Sequence, residues 1–69
     1  MERTPVSSSD IATIGYDEDN QILEVEFKNG SVYQYTGVPP SEHGGIMNAE
    51  SKGKYLHANI KKRYSYVKL

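Results

Sequence analysis

Sixty-nine residues suffice for one domain and no more, and a chain this short buries only ~60% of the surface its unfolded form exposes. Leu, Ile, Val and Phe total 14, with six tyrosines supplying much of the missing apolar area, and the absence of cysteine excludes disulfides and thiolate metal sites as staples. The net charge of −1 hides a split: residues 1–50 set nine acids against Arg3 and Lys28, a balance of −7, whereas residues 51–69 carry Lys52, Lys54, Lys61, Lys62, Arg63 and Lys68 with no acid, a balance of +6.

No apolar run approaches the ~18 residues of a membrane span, and Met1–Asp10 lacks the apolar core of a signal peptide, so the expected setting is the cytoplasm. Met1–Pro5 reads as a flexible arm, leaving residues 6–69 as the domain. Ile11–Tyr16 predicts a first strand with Ala12, Ile14 and Tyr16 on one face. Asp17–Asn20 is a turn. Its acids lack the glycine and the distant glutamate of a calcium loop, so no metal is expected there.

Gln21–Lys28 alternates, with Leu23, Val25 and Phe27 on one face and Glu24, Glu26 and Lys28 on the other, the pattern of a half-buried strand. Asn29-Gly30 then turns the chain into Ser31–Thr36. A two-residue loop would put Tyr33 and Tyr35 beside the glutamates. A three-residue loop with Gly30 left-handed pairs Phe27 with Ser31 and sets Tyr33 and Tyr35 beside Val25 and Leu23. Only the second gives one apolar face, and it is the expected register. The two tyrosines are then core residues first.

Pro39-Pro40 cannot extend a ladder but suits a helix start, so Pro40–Ala49 predicts a helix, weakened by Gly44 and Gly45 by about 1 kcal/mol each. Ser51 is the N-cap of a second helix, in which Leu56, Ile60 and Tyr64 share one stripe and Lys54, Ala58, Lys61 and Lys62 lie opposite. Tyr66 closes the fold in a short extended segment. The order strand-strand-strand-helix-helix predicts an α+β fold, a three-stranded antiparallel meander with two short C-terminal helices packed on one face.

The ordered set Val6-x-Ser8, Ile14-Gly15-Tyr16-Asp17, Leu23-x-Val25-x-Phe27-x-x-Gly30, Tyr33-x-Tyr35, Val38-Pro39, Ala49-x-Ser51-x-Gly53-x-Tyr55 and Ile60-Lys61-x-x-Tyr64 resembles the KTSC domain family, over Val6 to about Leu69. That domain is named for a module at the C-terminus of some lysyl-tRNA synthetases and also stands alone in small bacterial and phage proteins. The resemblance implies a single α+β domain with no assigned catalytic activity. It also points to RNA, because of where the domain is appended. Two departures from the family pattern are Gly44-Gly45 within the first helix and Leu56-His57 in the second.

Nothing in the sequence resembles a nucleophile elbow, a metal pair or a phosphate-cradling loop, so no enzyme and no cofactor is expected. His57 reads as a packed histidine and His43 as an exposed one. The expected activity is weak, salt-dependent, sequence-tolerant binding of nucleic acid through Ser51, Lys52, Lys54, Tyr55, Lys61, Lys62 and Arg63, with Tyr33, Tyr35 and Asn59 as secondary contacts. The alternatives are a homo-oligomer that sequesters a small nucleotide with the same side chains, and a protein-interaction module using strand edges or the Glu24/Glu26 face. Against a dedicated nucleic-acid binder stands the sequence pI of about 6.0.

Overall fold

In the computed structural model, which describes all 69 residues, the chain runs through β1 (Arg3–Pro5), β2 (Ile11–Asp17), β3 (Ile22–Phe27) and β4 (Val32–Thr36). It continues through α1 (Pro40–Asn48), α2 (Lys52–Tyr55), a π-helical turn (Leu56–Ile60) and β5 (Tyr66–Lys68). The five strands form one antiparallel sheet in sequence order. The fold is α+β as expected, but the sheet has five strands rather than three. The segment read as a loose arm supplies one edge strand, and the closing segment around Tyr66 supplies the other. Both are three-residue strands, too short to show a period of two, and each exists by pairing with a neighbour already in place.

The β3–β4 hairpin has the three-residue loop. The Phe27 N–H donates to the Ser31 carbonyl at 2.8 Å, the Gly30 N–H donates to the Phe27 carbonyl at 2.9 Å, and Gly30 has φ of 94°. Only glycine adopts that backbone at low cost. The register that follows sets Leu23 opposite Tyr35 and Val25 opposite Tyr33. Tyr35 is 1% exposed, so its first role is packing.

In β2 the alternation is broken by a bulge. Ile11 pairs with Phe27 but Thr13 pairs with Glu26, so two residues of one strand oppose one of the other. Ile11 and Ile14 are therefore both fully buried, whereas the expected inward residue Ala12 is only half-buried. Gly15 is needed where β1 crosses: a Cβ there would lie 2.9 Å from the Glu2 carbonyl oxygen.

The core consists of Ile11, Ile14, Leu23, Val25, Tyr35, Val38, Ile46, Leu56 and Ile60. Each such aliphatic side chain contributes roughly 1.5–3 kcal/mol by leaving water. Ser51 caps α2 by accepting from the Lys54 N–H at 3.3 Å. The helix then widens, with the Lys61 N–H donating to the Leu56 carbonyl at 2.8 Å, a five-residue step that keeps Leu56 and Ile60 both buried.

The two histidines exchange the expected environments. His57 and Ala58 point into solvent together, whereas half-buried His43 stacks on Tyr16 with centroids 4.5 Å apart and planes 10° from parallel. The Tyr16 hydroxyl donates to the Val38 carbonyl at 2.6 Å, which fixes the ring that His43 rests on.

Candidate functional site

Charge is the first property to place. The acidic sheet face is partly compensated from within: the Arg3 guanidinium pairs with Glu24 and lies 3.8 Å from Glu26. Gln34 donates to the other Glu24 oxygen at 2.8 Å. Burial pushes the Glu24 pKa up, but the bonds from Gln34 and Arg3 outweigh it and hold the carboxyl below its ordinary range. Glu24 is thus a satisfied group rather than a free acid.

No such pairing reaches the basic end. Arg3 is the only lysine or arginine in an ion pair, so Lys52, Lys54, Lys61, Lys62, Arg63 and Lys68 have no carboxylate partner. No direct ion pair joins the acidic and basic ends. Lys54, Lys61, Lys62, Arg63 and Lys68 are exposed. Lys52 is half-buried and donates to the Ala49 carbonyl at 3.2 Å.

The aromatic candidates separate. The Tyr55 hydroxyl donates to Glu42 Oε1 at 2.6 Å, the Tyr64 hydroxyl donates to Glu42 Oε2 at 3.1 Å, and the Tyr55 ring lies over Gly45. The Tyr55 phenol pKa is raised chiefly by that bond, and Tyr64's chiefly by desolvation. This clamp joins α1 to the C-terminal turn, so Tyr55 is committed to structure on its hydroxyl and on one side of its ring. The Ser51 hydroxyl is likewise engaged, as the cap of its own helix. Asn59 is half-buried on the π turn.

Tyr33 and Tyr35, by contrast, meet Lys61. Phe27, Asn29, Ser31, Tyr33, Tyr35 and Lys61 line one cleft of about 200 Å³ between the hairpin and the end of the last helical turn. The Phe27 and Tyr33 rings meet edge to face at 5.6 Å, Tyr66 adds a third ring 5.6 Å from Tyr33, and the Lys68 ammonium lies 6.0 Å above the Tyr33 ring. Three other hollows exist, and each is lined by at least one carboxylate, from Glu2 and Glu18, from Asp17, Glu18 and Asp19, or from Asp10. This cleft has a cation and no acid.

Phe27, Asn29, Ser31 and Lys68 were not among the residues expected to bind. The first three were legible once the hairpin register was chosen, because that register puts Phe27 and Ser31 at the same mouth. Lys68 was not, since its place follows from the pairing of β5 with β4, opposite Tyr33.

The KTSC domain model matches residues 7–64, which is most of the chain. The chain belongs to the KTSC domain family. The crystal structure of a KTSC domain protein from Yersinia pestis superposes with a TM-score of 0.92 at 46% identity, over 99% of this chain and 96% of that one. An uncharacterized protein of Stutzerimonas stutzeri is 37% identical over 100% of this chain and 99% of its own length. A lysine–tRNA ligase of Nostoc punctiforme is 39% identical over 86% of this chain, a match that occupies 10% of the ligase. The KTSC domain thus also occurs as a small part of lysyl-tRNA synthetases. No helix of this KTSC domain is long and apolar enough to cross a membrane.

Proposed function

We propose that this KTSC domain is a non-catalytic binding module for nucleic acid or nucleotides, engaged through the basic surface of residues 51–69. One observation carries the reading: the last nineteen residues hold six cations, none of them in an ion pair, and two of them, Lys61 and Lys68, lie beside half-buried aromatic rings. Unpaired cations hold phosphates without reading sequence, and phenol rings accept any base face. The related segment in a tRNA-charging enzyme fits an RNA ligand. Ligase chemistry is not carried over, because the match spans about a tenth of that enzyme. The cytoplasm, where such ligands are abundant, is the corresponding setting.

Fluorescence anisotropy of labelled tRNA and of labelled single strands at two salt concentrations tests this directly. Affinity should fall steeply with salt. In a triple variant Lys61→Gln, Lys62→Gln and Arg63→Gln the slope of log K against log salt for a single strand should become shallower by about 2, the value for three lost phosphate contacts. Absence of binding at low salt refutes the proposal.

A further inference from the structure

The basic surface alone cannot distinguish a duplex from a single strand, since phosphates line both. The cleft beside it can. Its lining includes the half-buried Phe27 and Tyr33, the buried Tyr35, and the polar residues Asn29, Ser31 and Lys61. Tyr35 is 1% exposed, so it contributes to the cleft as a nearly buried lining residue, and its hydroxyl has no hydrogen-bond partner within the chain. Asn29 Oδ1 accepts from the Ser31 N–H at 2.9 Å, which fixes the rim and leaves the asparagine's amide N–H groups uncommitted within the chain. The lining therefore combines aromatic residues with Asn29, Ser31 and the cation Lys61, and is free of carboxylates. Burial, and then the phenols of Tyr33 and Tyr66, push the Tyr35 pKa up, so this hydroxyl stays a donor at neutral pH.

We infer that this cleft is a subsite for one unpaired nucleotide, its base against Tyr33 and Phe27 and its phosphate at Lys61. A duplex keeps its bases stacked inside and offers only backbone to such a recess, whereas an unpaired base can leave its stack and lie on a ring. The inference rests on the binding role proposed above and adds the ligand class. The nucleotide can come from a single strand or be free in solution; the chemistry recognised is the same.

The test compares a labelled strand about eight nucleotides long, a length within the span of one small domain, with the same strand annealed to its complement. An unlabelled nucleoside monophosphate serves as competitor. The single strand should bind about tenfold more tightly than the duplex, and Tyr33→Leu should remove most of that preference while leaving duplex affinity unchanged. Competition by the monophosphate assigns the subsite to free nucleotides; its failure to compete while the strand binds assigns it to strands. Should Tyr33→Leu lose its folded circular-dichroism spectrum, the pair Asn29→Ala and Ser31→Ala, both at the hairpin surface, replaces it with the same expectation. Equal affinity for strand and duplex, or a preference that survives these substitutions, overturns the subsite but leaves the basic surface standing. No binding of any probe overturns both.

Discussion

Gly44 and Gly45 look equivalent in sequence, each costing a helix roughly 1 kcal/mol against alanine. They are opposites in the fold. A Cβ at Gly44 meets nothing, whereas a Cβ at Gly45 would collide with the Tyr55 hydroxyl and lie 2.6 Å from its Cζ. The tyrosine can yield only by giving up its bond to Glu42. Gly44→Ala should therefore stabilise by about 0.5–1 kcal/mol, and Gly45→Ala should destabilise despite the same gain in helix propensity. The sign depends on Tyr55: in a Tyr55→Leu background Gly45→Ala should become neutral or stabilising. Urea denaturation of the four variants checks the cycle, and a Gly45→Ala that stabilises the wild-type chain would refute the clamp. The reason for the second glycine was not legible from the helix alone, because it lies in a residue ten positions downstream.

At the scale of elements, what the sequence made legible was what periodicity and turn chemistry control. The β3–β4 register followed from a single requirement, that five apolar side chains share one face, and the structure has that register. Of the outer strands, the extended segment at Tyr66 was legible and its pairing was not, while β1 followed from no local pattern. β1 is held by Arg3 across the sheet to Glu24, and such a tie is invisible until strand order is known. The lysines of the candidate surface were legible as charge, and the cleft only through the tertiary approach of Lys61 to the hairpin.

The same tie predicts a pH dependence. The Glu24 pKa is lower folded than unfolded, so its contribution is fully present above the unfolded value of about 4.3 and is lost as pH falls through the folded value. Melting temperature should thus drop as pH falls below about 4.3. Glu24→Gln should be less stable at neutral pH and flatter through the acid range. A variant whose acid profile parallels the wild type would show that another carboxyl controls it.

For the whole molecule, size governs how binding becomes visible. The nine-residue core is small, and a domain of 60–100 residues has so little unfolding entropy that 1 kcal/mol moves its melting temperature by about 4–8 °C. A ligand that binds only the folded chain adds about 2.7 kcal/mol at a hundredfold excess over its Kd. Together these predict a rise on the order of 10–20 °C at saturation, far larger than the same affinity would give in a large enzyme. Because none of the six cations is in an ion pair, none has to break a salt bridge to meet a phosphate, and the shift should shrink as salt competes for the same charges. Differential scanning fluorimetry with a single-stranded oligonucleotide at low and at moderate salt reads this directly. A shift that is indifferent to salt would move the site away from the basic end, toward the uncharged parts of the surface.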